Sequence, residues 1–240
     1  NEGNVLSVGQ EVKIDLPFEL TSSQQIASMR IADAAHRRDV LVKAVCGAGK
    51  TELVMETIRR FLAEGKTIGV AIARRQVVLQ LSDRFRHAFP GVQVSEVCEG
   101  HTMQLSGQLI VCTTHQLFRF PNAFDCLILD EPDAYPFSED KTLQGFAKMA
   151  CKGSVVYLTA TPSLELRNSV KEGQLHEVKL SVRPHGYPLS VPKVKAGLHY
   201  VQLIVLQRWL AKRKKQALIF VPSIHLGNQL MNILKLDFVY

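Results

Sequence analysis

The sequence predicts an α/β fold, a doubly wound and mostly parallel sheet, on three observations. Short apolar runs alternate with stretches of helical periodicity along most of the chain. One run, Phe124-Asp-Cys-Leu-Ile-Leu129, is nearly continuous in apolar residues, as suits a parallel strand covered on both faces. Another, Leu41-Val-Lys-Ala-Val45, leads straight into a glycine-containing loop and then a helical pattern.

The elements follow in order. Residues 21–35 read as a helix, with Thr21 as its N-cap ahead of Ser22 and Ser23. Strands are expected at 40–45, 67–72, 92–97, 109–113, 124–129 and 154–159, and helices at 52–62, 77–87 and 141–149. Residues 1–19 form a lead-in segment and 20–175 the first domain. Residues 176–200 hold Pro184, Pro188 and Pro192 among polar and basic residues, and read as an extended interdomain connector. A second domain then starts within 201–240, with a helix at 201–212 and a buried strand at 217–221. Trp209, at helical spacing from Val205, is expected in its core. No internal repeat or low-complexity tract is present.

The loop after the first strand, Ala44-Val-Cys-Gly-Ala-Gly-Lys-Thr51, has the chemistry of a phosphate cradle. Gly47 and Gly49, flanking Ala48, let backbone N–H groups wrap phosphate oxygens where side chains would clash. Lys50 would reach the β- and γ-phosphates, and the Thr51 hydroxyl would ligate Mg²⁺. The helix that follows puts these groups at an N-terminus, which favours anions. The usual G-x-x-x-x-G-K-[ST] pattern has Gly where this chain has Ala44. The bland alternative is a chance Gly-Ala-Gly turn between strand and helix.

Asp130-Glu131 closes the apolar run at 124–129, and ligand chemistry in open parallel sheets collects at the carboxyl ends of strands. Asp130 would hold Mg²⁺, and Glu131 would orient and help deprotonate the attacking water. Thr159-Ala-Thr161 ends a further apolar run, where small hydroxyls can link the acidic pair to a neighbouring domain. Together these point to a RecA-like P-loop NTPase with ATP and Mg²⁺ as cofactors and the start of a second RecA-like lobe. A P-loop phosphotransferase and an ATP-switched nucleic-acid-binding subunit are the competing readings.

This order of signals resembles the superfamily 2 helicases and translocases with a DEAD-type box, here Asp130-Glu-Pro-Asp133. Leu20-Thr-Ser-Ser-Gln24 is similar to the element that holds adenine in that group, which implies an adenine contact for Gln24. Ala71-Ile-Ala-Arg-Arg75 and Thr113-Thr-His-Gln-Leu117 resemble its nucleic-acid-contact elements, implying that Arg74, Thr113 and Thr114 grip a strand. The resemblance is nearest to ComFA-type competence ATPases: Asp130-Glu-Pro-Asp-Ala-Tyr-Pro-Phe137, Arg183-Pro-His185 and Leu218-Ile-Phe-Val-Pro-Ser-Ile224 all fit them. PriA-type replication-restart helicases are the second choice. The resemblance covers roughly residues 20–225. It implies a motor on single-stranded DNA during DNA uptake, partnered by competence proteins at the inner face of an uptake channel. It implies zinc as well, but the four-cysteine module of that group has no counterpart here, since no C-x-x-C occurs.

Composition fits. Of the 240 residues 46% are hydrophobic, enough for a full core and the start of a second domain. No run approaches the ~20 apolar residues that span a bilayer. The chain opens with Asn1, so a fragment of a longer protein is expected, in a cytoplasmic setting or peripheral to the inner membrane face. Five cysteines without metal-type spacing are expected to be reduced thiols. A net charge of +7 suits a polyanionic partner. Arg84, Arg86 and the run Lys212-Arg-Lys-Lys215 contribute to it, the last being equally suited to a solvated helix end. His115 and His185 lack the paired spacing of metal ligands.

Overall fold

The computed structural model describes residues 12–102, 104–187, 191–194, 196–212 and 217–234. Two compact units divide the chain, Asn1–Pro188 and Leu189–Tyr240.

The first unit is built on eight strands: β1 (Val40–Ala44), β2 (Ile68–Ile72), β3 (Val94–Cys98), β4 (His101–Thr102), β5 (Leu109–Thr113), β6 (Phe124–Asp130), β7 (Cys151–Thr159) and β8 (His176–Leu180). They form one sheet in the order β4-β3-β5-β2-β6-β7-β1-β8. Every neighbouring pair is parallel except β3 with β4. Successive side chains of a strand face opposite ways, and both faces are covered. Val70, Ile72, Cys126 and Ile128 join a core with α1 (Ser22–Ala35), α3 (Met55–Ala63) and α4 (Arg75–Ala88), while Ala71, Leu127 and Leu129 join another with Leu117 and with Leu143 and Ala147 of α5 (Lys141–Ala150). This two-sided burial is why β6 reads as a continuous apolar run.

Helix α1 shows how sequence sets position. Gln24, Ala27, Ser28, Ile31, Ala32 and Ala35 are its buried residues, an i, i+3, i+4 stripe. Thr21 caps it as expected, in a reciprocal capping box with Gln24.

Several elements differ from expectation. The helix expected at 52–62 starts earlier and divides into α2 (Lys50–Leu53) and α3. The Val54 N–H donates to Thr51 O at 3.3 Å, an i→i−3 bond that tightens the turn. The connector expected from residue 176 instead opens with β8, whose Val178 and Leu180 are buried while His176 and Lys179 are exposed. An edge strand buries only alternate residues, so charged neighbours mask its apolar pattern. The 3₁₀ helix Thr114–Arg119, two-residue β4 and α6 (Leu164–Lys171) were not expected; α6 buries no residue.

The second unit contains α7 (His199–Ala211) and α8 (Ile224–Leu234). The helix expected at 201–212 is α7. The strand expected at 217–221 is not formed: Leu218 and Phe220 are 88% and 92% exposed. A strand needs a neighbour for its N–H and C=O groups, and none lies beside it among the described residues. Trp209 and Val205 are 42% and 40% exposed rather than in a core. Residues 188–190 and Lys195 of the expected connector, and 213–215 of the basic run, lie outside the described residues.

Gly69 in β2 marks a tight point, because a Cβ there would sit 2.8 Å from the Phe124 ring on β6. Gly69→Ala is expected to destabilise the first unit by about 1–3 kcal/mol through overpacking, measured by chemical denaturation. An unchanged midpoint would contradict this packing.

Candidate nucleotide and polynucleotide site

Parallel pairing lines up the carboxyl ends of five adjacent strands. Ile72 of β2 is level with Thr113 of β5 on one side and Asp130 of β6 on the other. Asp130 is level with Leu158 of β7, and Thr159 with Lys43 of β1. Every sequence-predicted site residue except Gln24 therefore lies at or just beyond one edge of the sheet, and Gln24 reaches that edge from α1.

In the loop after β1, Gly47 and Gly49 have φ of +79° and +80°, the left-handed region that favours glycine. Space forbids a side chain at 49 as well: a Cβ would lie 2.7 Å from Gln24 Nε2 and 3.0 Å from Glu52 Oε2. Ala48 is buried, and its carbonyl accepts from Gln24 Nε2 at 3.0 Å. Gln24 Oε1 accepts from Thr21 N at 3.0 Å and Thr21 Oγ1 at 3.1 Å, and the residue is only 2% exposed. The carboxamide thus ties α1 to the loop. One of the two Nε2 hydrogens is used in this way, and the other remains for a ligand. Behind the loop the buried Glu52 carboxylate pairs with Arg84 of α4.

Lys50 Nζ bonds Glu131 Oε1 at 2.8 Å, joining the two motifs directly. Their side chains are 16% and 60% exposed. Glu131 has φ +53°, uncommon for a residue with a Cβ and frequent at functional sites. Its N–H donates to Leu158 O at 2.9 Å, which holds the turn against β7. Asp130 is more enclosed, and its Oδ1 is buried without a hydrogen-bond partner. Burial pushes its carboxyl above the ordinary range, and the nearby Lys50 cation offsets this in part.

The hydroxyl residues after β7 engage the same loop. Thr161 Oγ1 donates to Asp133 Oδ2 at 2.6 Å, and the Thr161 N–H donates to Thr159 Oγ1 at 3.0 Å. Asp133 Oδ1 is a second buried oxygen with no partner. The direct link runs to Asp133, an acid that the D-x-x-D spacing of the motif could have singled out. Arg183, noted in sequence only within the Arg183-Pro-His185 resemblance, reaches the phosphate loop: its Nε donates to Cys46 O at 2.8 Å across a long stretch of sequence.

Toward β5, Arg74 is exposed at the start of α4. Thr113 and Thr114 are buried, and the Thr114 hydroxyl has no partner. Their side chains therefore do not present a gripping surface. The first backbone N–H groups of the 3₁₀ helix at this turn lack intrahelical acceptors. All five thiols are free; burial pushes Cys112 and Cys126 up to about 12, while Cys46 is exposed in the phosphate loop. Among the described residues no helix is long and apolar enough to cross a membrane.

Comparison with known proteins agrees with this geometry. The family model "Type III restriction enzyme, res subunit" matches residues 17–164, from the Thr21 cap through Thr161. The chain belongs to that family. It is 36% identical to competence protein ComFA of Bacillus subtilis, over 93% of this chain and 50% of the relative. With ComFA of Streptococcus pneumoniae the identity is 33%, over 92% and 54%. Replication restart protein PriA of Rickettsia conorii is less similar, at 25% over 88% and 37%. The chain thus spans about half the length of the ComFA relatives. The UvsW helicase of bacteriophage T4 superposes with a TM-score of 0.53 at 13% identity, covering 72% of this chain and 64% of that one. The shared fold is a RecA-like α/β sheet.

Asp130 generates a testable sign. Its carboxyl titrates higher in the folded chain than in the unfolded one, so its charge opposes folding at neutral pH; that penalty disappears as pH falls through the raised value. Asp130→Asn should accordingly raise the thermal midpoint of the nucleotide-free chain at neutral pH, with the gain shrinking in acid. A lowered midpoint at neutral pH would show that the charge is well compensated.

Proposed function

We propose that this chain is the ATP-binding part of a nucleic-acid-driven motor. The observation that carries the reading is the order along one sheet edge: Thr113 ends β5, Arg74 follows β2, Asp130 ends β6, Thr159 ends β7 and the phosphate loop follows β1, so polynucleotide contacts at the β5 and β2 ends would share one rim with the nucleotide.

ATP would bind with its phosphates against the N–H groups of 47–51, where the start of α2 adds favourable dipole. Lys50 would leave Glu131 for the β- and γ-phosphates. That exchange frees the Glu131 carboxylate to orient a water and take its proton. The donor set suits Mg²⁺: Asp130 has a buried, unpartnered oxygen near Lys50, and Thr51 supplies a hydroxyl at the loop. No cluster of three or more acidic, His or Cys ligands occurs among the described residues, in keeping with an ion held by one or two protein groups plus phosphates. Such an ion would neutralise charge on the transferred phosphate. Asp133 and Thr161 would transmit the state of the acidic loop toward a partner lobe.

Arg74 and the N–H groups at the start of the 3₁₀ helix would hold a phosphodiester backbone. Contacts of this type carry no base information, as a motor moving along any sequence requires. Similarity to the ComFA proteins supports single-stranded DNA as the track and DNA uptake as the process. It also supports competence proteins at the inner face of the membrane as partners and a cytoplasmic site of action. The weaker similarity to PriA makes replication restart the second reading.

Two variants test the assignment. Lys50→Ala should abolish binding of a fluorescent ATP analogue. Glu131→Gln should bind it at least as tightly as the native chain, because Lys50 is released from its ion pair. Phosphate release by the full-length protein should fall about 10²–10⁴-fold in that variant. Native turnover in Glu131→Gln would remove Glu131 from the chemistry.

A further inference from the structure

The phosphate loop is held from two sides. On one lies β7 with the acidic loop beyond it; on the other lies β8, whose Leu180 carbonyl accepts the Val45 N–H at 3.1 Å. Three residues past Leu180 the chain returns to the loop, where Arg183 Nε donates to Cys46 O at 2.8 Å. One of the five guanidinium N–H donors is thereby used. The terminal nitrogens lie over the loop, with Nη2 3.8 Å from where a Cβ of Gly47 would be. A Cβ at Gly47 would be in ordinary contact with the guanidinium, whose Nε would be 3.4 Å away.

Among the described residues no carboxylate pairs with Arg183. Arg60, Arg84 and Arg86 all have acidic partners. Arg183 is also only partly exposed, so solvent satisfies it less well than a free surface arginine. A guanidinium with spare donors, fixed beside Cys46 and Gly47 of the phosphate loop, can take an anion. Its planar fork matches phosphate oxygens.

We propose that Arg183 is a second cationic contact for the phosphates of a bound nucleoside di- or triphosphate, anchored by its Nε to the loop and approaching from the β8 side. The proposal rests on the nucleotide-binding reading above. It makes the segment after β8 part of the nucleotide site. Lys50 and Arg183 then play different parts. Lys50 exchanges between Glu131 and phosphate, whereas Arg183 has no acidic partner to leave.

The test titrates a fluorescent ADP analogue into the 240-residue chain at low and high salt, for native, Lys50→Ala, Arg183→Lys and Arg183→Gln proteins with matched circular dichroism. Arg183→Gln removes the charge, and its affinity should fall about tenfold with a shallower salt dependence. Arg183→Lys keeps the charge and should retain most of both. Native-like affinity and salt dependence in Arg183→Gln, with Lys50→Ala inactive, would overturn the proposal and leave the nucleotide site standing. Equal losses in both Arg183 variants with unchanged salt dependence would overturn it too, reducing Arg183 to a brace for the Cys46 carbonyl. Failure of the native chain to bind at all would remove the nucleotide reading and this proposal together.

Discussion

Strand β7 is the member on which the site depends. It pairs in parallel with β6 on one side and β1 on the other, setting Asp130 level with Leu158 and Lys43 level with Thr159. That double register places the acidic turn and the phosphate loop one strand apart, near enough for Lys50 and Glu131 to meet at 2.8 Å. The Leu158 carbonyl also accepts the Glu131 N–H, so the backbone that aligns the strands holds the left-handed turn as well. Slipping a strand by one residue would send its core side chains to the other face. Two separately packed faces make such a slip costly. The positions of the reactive groups are thus inherited from core packing.

Electrostatics at that edge are arranged for exchange rather than for rest. Asp130 is enclosed with one oxygen unsatisfied, Asp133 likewise, and Lys50 is occupied by a carboxylate that its phosphate role would require it to leave. Half-satisfied buried groups are costly in an ordinary core. Here they mark where nucleotide and metal would complete the network. The Thr161–Asp133 bond extends it to the end of β7, the strand in contact with both motifs.

Much of this was legible in sequence because the constraints are local. Positive φ at 47 and 49 demands glycine, and two-sided burial makes β6 a continuous apolar run, so loop and strand both announce themselves. What was not legible depends on partners distant in sequence. That Gln24 also ties α1 to the phosphate loop is seen only once the fold brings it to the Ala48 carbonyl. Thr113 and Thr114 look like contact residues until their burial is seen. β8 escaped notice because an edge strand needs only two inward apolar residues, Val178 and Leu180, and proline-rich sequence follows it. At 217–221 the apolar run is real, but a strand is a property of a pair, and no neighbouring strand lies beside it among the described residues. Arg183 stood in a segment that carried the family resemblance, but its place beside the phosphate loop comes from the fold bringing it to Cys46.

The central claim is that one sheet edge couples ATP turnover to a polynucleotide. Its most direct test is steady-state ATP hydrolysis by the full-length protein without polymer, with single-stranded DNA and with single-stranded RNA. The account predicts slow basal turnover, strong acceleration by DNA and little by RNA. Turnover indifferent to either polymer would contradict it, and would leave an ATP site with no motor attached.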